Sequence, residues 1–476
     1  MAERENAGLS RFWLQTTSPP LVCPSAAGKL RLMQRFSSWL DARQSLWLLL
    51  LAPVYLFPAA EGMRALLLPL LLGLPLLWLA TGRSAFLPSR LNPTLLLLAV
   101  MTLVSALVSA PVFASLAVSL PKLAGVELGF AVYAFFTRYA RQKGCYPAAC
   151  AMFLWMGAAV ALAGIFGTRW FSTKFLTFNA VTNLLPGVAF QLPGAPDGFH
   201  PNQVAGTLLW VLPLMAAWLW LKLGALSAGK GGLSALLALI GLAVTTGVFV
   251  LTQSRSAYLG LAAAGVCLAA WLLPSQWRRW YALGMALLLV LGGVWLVNGG
   301  WERLEAELAP LAAGQGAASA EAFSFNSLQA RFTIWSRAWL AIQDFPLTGM
   351  GMNTWRYAVY AFYPMPGVQA ADSLGHAHNE FLQAALDLGM PGMLAFAWLN
   401  LAAARILLRT VREAEVSPDG AERAERRLLA LGLLGGLLAH FLFGLTDAVA
   451  LGSKPGVIFW ALLGLTAGLE DERQQH

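Results

Sequence analysis

Residues 232–251 read GLSALLALIGLAVTTGVFVL, without one charged side chain. At about 1.5 Å of rise per residue, a helix of that length covers about 30 Å, the thickness of a bilayer's hydrocarbon core. Lipid offers no water to a free backbone N–H or C=O, so such a segment has to be helical. Similar stretches recur on both sides, and the chain reads as twelve spans: 45–60, 63–81, 92–110, 115–139, 146–167, 201–223, 232–251, 256–273, 279–298, 380–409, 425–449 and 456–469. The expected fold class is an all-α polytopic membrane protein of about 12 transmembrane helices, and nothing reads as an outer-membrane barrel. Composition agrees: of 476 residues 58% are hydrophobic and 12% charged, against about 25% charged in ordinary soluble domains.

Residues 1–44 precede the first span and carry Arg4, Arg11, Lys29, Arg31, Arg35 and Arg43 without the apolar core and cleavage site of a cleaved signal peptide. They read as a cytoplasmic N-terminal arm. Helices one to nine then occupy 45–298, a large outer loop 299–379, helices ten to twelve 380–469, and a cytoplasmic tail 470–476. With both termini inside, most of the 32 Lys and Arg fall on the cytoplasmic side, as the positive-inside rule requires. The net charge of +9 is therefore mainly a topology signal, and no nucleic acid is implied as a partner. Cys23, Cys145, Cys150 and Cys267 all fall on the inner side of this map, which argues against an outer disulfide framework.

The outer side gathers the candidate chemistry. In the segment from Gly375 to Gln383, His376 and His378 stand at the end of the long loop, just before an apolar helix, with Asn379 following. Histidine takes and returns a proton near neutral pH, and in a loop both rings can face one site. Arg255 is the sole charge between spans seven and eight and invites an anionic ligand; the plain alternative is snorkelling to lipid phosphate. Arg331, Arg337 and Arg356 follow in the large loop, where Asn326 could cap a helix with apolar face Leu328, Phe332, Trp335, Trp339 and Ile342, ended at Asp344-Phe345-Pro346. Arginine's planar fork suits phosphate oxygens.

His200 and Asn202 stand at the outer entrance of span six, and Asp447 and Lys454 flank the last outer turn, where they could pair or line one cavity. His440 reads as a packed, hydrogen-bonded residue. Lys122 and Glu127, five apart in span four, read as an internal pair. His200, His376 and His378 fit no metal-binding spacing, and neither a metal nor another cofactor is expected.

The Ser254-Arg255-Ser256 turn, the loop helix around Ala330-Arg331-Phe332-Thr333-Ile334-Trp335, then Gly349-Met350-Gly351, His378-Asn379-Glu380-Phe381-Leu382-Gln383 and Leu388-Gly389 follow one another in an order that resembles the O-antigen ligase and polymerase family of bacterial membrane glycosyltransferases. The resemblance covers roughly 198–469; the first 197 residues match in hydropathy alone. It implies a GT-C-like enzyme of the inner (plasma) membrane, working on its outer face without a metal or nucleotide sugar. The donor would be an undecaprenyl-diphosphate-linked glycan. Carried over by position, Arg255 and Arg331 would bind the diphosphate and His378 would activate the acceptor hydroxyl. His376, Asn379, His200, Asn202, Arg337, Arg356, Asp447 and Lys454 would support the site.

A ligase would use lipid A core as acceptor, a polymerase a second lipid-linked glycan, and a protein oligosaccharyltransferase a Ser or Thr. Membrane lipids are the remaining partner. A lipid or solute transporter, with essential charges near the bilayer midplane at Lys122 and Glu127, is the alternative of a different class.

Overall fold

The computed structural model describes residues 86–112, 116–170, 179–185, 188, 198–227, 229–295, 298, 326–365, 374–416 and 420–470. The N-terminal arm, the spans expected at 45–60 and 63–81, and residues 299–325 of the large loop lie outside them. The helices are α1 (Asn92–Val112), α2 (Leu116–Ala140), α3 (Tyr146–Gly167), α4 (Pro201–Leu209), α5 (Leu212–Ser227), α6 (Gly232–Leu251), α7 (Arg255–Leu272), α8 (Ser275–Trp295), α9 (Asn326–Asp344), α10 (Trp355–Phe362), α11 (Glu380–Val416), α12 (Gly420–Gly444) and α13 (Val457–Gly468). Among the described residues there is no strand, only one isolated bridge between Thr168 and Phe199.

The ten expected spans that fall on described residues each have helix at their place. Five helices are long and apolar enough to cross a bilayer, lying within α2, α3, α6, α11 and α12; α4 and α5 make a sixth span only as a pair bent by 46°. The apolar helices of α1, α7 and α13 are shorter. Large side chains such as Leu233 on α6 and Leu259 on α7, each 71% exposed, face outward, which only a lipid solvent makes tolerable.

Hydrophobicity does not hold helices together in lipid, so close contact must. Helix α12 supplies it: a Cβ at Gly436 would lie 2.3 Å from the Trp210 carbonyl, and one at Gly435 2.8 Å from Pro213. Trp210, Trp460, Phe443 and Tyr133 fill the centre of this bundle.

A second, smaller core sits on the bundle's end. Ile334, Ala338, Ala341 and Ile342 of α9 pack with Met350, Trp355 and Val359 against Ala385 and Leu386 of α11. Helix α9 has the expected bounds, and its expected apolar residues divide: Ile342 and Trp335 join this core, whereas Phe332 and Trp339 are 58% and 51% exposed. The alanines win the inward side because they let α9 approach α11 closely, while Phe332 and Trp339 turn out.

The two cores meet at a pair of glycines. Gly389 breaks α11 at φ 72° and ψ 174°, and Gly349 has φ 66°, a region that a side chain disfavours. A Cβ on Gly349 would lie 2.6 Å from the Gly389 nitrogen, and one on Gly389 2.4 Å from the Leu347 carbonyl. Backbone hydrogen bonds from Met350 to Leu386 (2.8 Å) and from Met390 to Pro346 (2.7 Å) stitch the contact.

Candidate active site

Asp447, in the turn after α12, is 1% exposed and draws partners from three other parts of the chain. Asn202, on the first turn of α4, donates from Nδ2 to Oδ2 at 2.7 Å. Arg331 of α9 approaches the same oxygen at 3.6 Å. The other oxygen accepts the Ala448 N–H at 2.9 Å and faces His378 Nδ1 at 3.5 Å and His376 Nε2 at 3.8 Å. Burial pushes the Asp447 carboxyl up, but the neighbouring His378, His376 and Arg331 together hold it well below its ordinary range.

The loop carrying the histidines is fixed on every side. Asn379 Oδ1 caps α11 by accepting the N–H groups of Phe381 and Leu382, both at 3.0 Å, and its Nδ2 donates to the Leu445 carbonyl at 2.8 Å. The Ala377 N–H donates to Gln383 Oε1 at 2.9 Å, and Trp335 Nε1 donates to the carbonyls of Ala377 and His378 at 3.1 and 3.3 Å. Gln383 is held by Asp387 at 3.0 Å, which also pairs with Lys122 at 3.3 Å and accepts the Asn353 N–H at 3.1 Å. The expected Lys122–Glu127 pair is thus replaced: Lys122 reaches across to α11, and Glu127 Oε1 is buried without a partner among the described residues.

So constrained, the loop puts His378 at φ 48°, a backbone cost of about 1–3 kcal/mol that surrounding contacts must offset. The two rings lie 4.5 Å apart, as expected of a loop. His376 Nδ1 accepts the His378 N–H at 3.2 Å, so in the neutral ring the proton sits on Nε2, toward Asp447. Burial and then the neighbouring His378 push His376 down to about 3, against the opposing pull of Asp447. A proton on His378 Nδ1, facing Asp447, leaves its Nε2 with a free lone pair. This is the arrangement by which a carboxylate orients an imidazole as a general base.

His376, His378 and Asp447 also offer ligand atoms within 4.8 Å of one another. That spacing could take a small cation, but His376 Nδ1 is committed to backbone, its Nε2 carries the proton, and Arg331 brings a positive charge beside the carboxylate. The donor set fits a hydrogen-bonded cluster better than a metal.

Of the other expected residues, Arg255 lies near enough to Arg331 for their charges to interact, at a hairpin where Gln253 also has positive φ, 51°. His200 caps α4 through Nδ1, which accepts the Asn202 N–H at 3.2 Å, and its charge reaches His376. Arg356 borders the histidine loop, with NH2 3.7 Å from where a Gly375 Cβ would be. Lys454 is half-buried in the turn Lys454–Gly456, but Asp447 takes its partners elsewhere. Arg337 has its Nε buried without a partner among the described residues and is not among the described groups that meet Asp447. Sequence reasoning missed Trp335 as a clamp, and Asp387 altogether; the one available signal was that Gln383 ends the His-Asn-Glu-Phe-Leu-Gln segment.

No curated protein matches the chain. A family model described as O-Antigen ligase matches residues 236–397, a stretch that contains Arg255, Arg331 and His378 but not Asn202 or Asp447. Over that stretch the chain is similar to the O-antigen ligase and polymerase family, which supports the resemblance read from the motifs.

Proposed function

We propose that the protein is an inverting glycosyltransferase that moves a glycan from undecaprenyl diphosphate to an acceptor hydroxyl, at the outer face of the inner membrane and with both termini cytoplasmic. The coarser part follows from the apolar helices and the family match: an integral membrane glycosyltransferase of the O-antigen ligase or polymerase type, acting on lipid-linked glycans. The observation that carries the finer reading is the convergence of His378, Asp447 and Arg331 within 3.6 Å contacts.

In this reading Arg331 and Arg255 hold the diphosphate and neutralise the charge that grows on it as the sugar departs. His378 Nε2 takes the proton of the incoming hydroxyl, whose oxygen bonds to the anomeric carbon from the face opposite the diphosphate. The bond from that carbon to the diphosphate oxygen breaks, and the configuration inverts. Asp447 keeps the proton of His378 on Nδ1 and stabilises the imidazolium. His376, neutral because of its burial, positions His378 through the backbone bond.

Ligation to lipid A core is favoured over polymerisation by the order of loop arginine and His-Asn segment. The transport alternative looked to Lys122 and Glu127, but Lys122 pairs instead with Asp387, which also accepts the Asn353 N–H.

The test is transfer by purified protein in nanodiscs, with chelator, from an undecaprenyl-diphosphate oligosaccharide, offering lipid A core or only further donor. A single glycan block on the core, lost in His378→Ala, is the expected result. A ladder of lengthening lipid-linked products would make the protein a polymerase. Full transfer by His378→Ala would remove the proposed base.

A further inference from the structure

The bent span opens a space that the site above does not use. Helices α4 and α5 diverge by 46°, and Pro213 stands in the first turn of α5, where its missing N–H would be unpaired in any case. Beside this bend lies a groove of about 260 Å³, walled by α5, α6 and α7 and floored by Gly435 of α12. Pro213, Phe249, Leu261, Leu268 and Gly265 line it, and the hydroxyl of Thr246 is its one polar side-chain group.

The groove follows α7 inward from the candidate site. Leu261 and Leu268 are six and thirteen residues beyond Arg255, about 9 and 20 Å of helix rise. A lipid with its anionic head at Arg255 therefore has its chain at the depth of this groove, which it reaches round the face of α7. Gly265 leaves the wall open: a Cβ there meets no heavy atom within 4 Å. Between bulky Leu261 and Leu268, Gly265 leaves a notch that suits a chain bearing methyl branches, while Ala264 is buried and Gly435 packs against Pro213 and Leu268.

We infer that this groove seats the upper part of the donor's polyisoprenoid tail, and that Gly265 sets the preference for that chain over other lipids. The inference rests on the diphosphate-linked donor proposed above and adds where its tail lies.

The experiment measures binding, not transfer. Full-length protein in phosphatidylcholine nanodiscs is titrated with undecaprenyl diphosphate, geranyl diphosphate and dioleoyl phosphatidic acid, none carrying sugar. Wild type is expected to prefer the undecaprenyl probe over the geranyl one, and Gly265→Leu to cut that ratio roughly tenfold, equivalent to about 1.4 kcal/mol. Gly241→Leu also adds a side chain into open space, on α6 outside the groove, and is expected to leave the ratio alone. Equal ratios for the two variants overturn the inference. So does phosphatidic acid binding with the same sensitivity to Gly265→Leu, which would make the groove a seat for any acyl chain.

Should Gly265→Leu fail to fold, Gly265→Cys serves, in a Cys267→Ser background because Cys267 is exposed. Undecaprenyl diphosphate is then expected to slow its alkylation at least severalfold more than geranyl diphosphate, and equal rates overturn the inference. Because no sugar moves, an absence of glycosyl transfer would count against the proposed function while leaving tail binding to be read on its own.

Discussion

His440 and Glu380 face each other at 3.0 Å, both side chains nearly shut off from the surface. The other ring nitrogen of His440, Nδ1, lies 2.8 Å from the Gly206 carbonyl, and Trp210 stacks on the ring at 3.7 Å. The carbonyl is free for this because α4 ends at Leu209 and the Trp210 N–H turns to Thr207 instead. A carbonyl only accepts, so Nδ1 carries a proton and the pair shares the next one between Nε2 and the carboxylate.

Removing the ring should isolate a buried carboxyl and a buried carbonyl together. His440→Ala is expected to cost about 3–5 kcal/mol, the usual penalty for breaking a buried pair from one side. Denaturant unfolding in detergent measures it. A wild-type midpoint in His440→Ala would mean that the pair holds nothing together.

Asp447→Asn keeps the shape of the site but changes which nitrogen of His378 holds the proton. Turnover is expected to fall roughly 10²–10⁴-fold, the range of a lost general base, with donor binding nearly unchanged. The double variant with His378→Ala should be scarcely slower than either single one, because the two residues act as a unit. Additive losses would mean that Asp447 acts independently of His378.

The burial of His376 predicts an acid-sensitive fold. Its value in the folded protein is about 3 against an ordinary 6.5, so between these limits the unfolded chain binds a proton that the folded one refuses. By linkage, stability then rises with pH through the window, being complete above about 6.5 and lost progressively toward 3. Asp447, depressed below its ordinary 3.8, adds stability that is present above that value and lost below it. Thermal unfolding from pH 7 to 4 should show a falling midpoint in wild type and a shallower fall in His376→Asn. Identical slopes would show that His376 does not titrate as its burial requires.

Gly389→Ala tests the seam between the bundle and the smaller core. The new Cβ would have to fit 2.4 Å from a backbone carbonyl, at a φ of +72°. Strain of about 1–3 kcal/mol is expected from the backbone alone, together with protease cleavage between α9 and α10 at concentrations that spare wild type. An unchanged cleavage pattern would show that the seam tolerates displacement.

The spans were legible because their signal is one-dimensional: a charge-free run such as 232–251 leaves a backbone in lipid no choice but helix. His378, Arg255 and Arg331 were singled out by their residue types and their order, and the fold brings His378 and Arg331 to Asp447 with Arg255 near Arg331. The centre of the cluster was not, because Asp447 meets Asn202 across 245 positions, and no local pattern encodes such a meeting. The face of α9 was legible only in part, in Trp335 and Ile342. Large apolar rings normally mark a buried stripe, but beside a membrane they can face lipid while Ala338 and Ala341 take the tight contact. Lys122 was assigned to Glu127 by nearness in sequence, and the bundle offered it Asp387 instead.

The position of Asp447 in the chain bears on how the molecule is made. Asn202, Arg331, His376 and His378, the side chains it gathers, all leave the ribosome before it, and the turn that carries it is threaded into place only with the final hairpin of α12 and α13. A nascent or prematurely terminated chain thus exposes cationic and imidazole groups with no carboxylate to align them. Such a fragment is expected to hold lipid phosphate without turning over, so synthesis would deliver competence in a single late step.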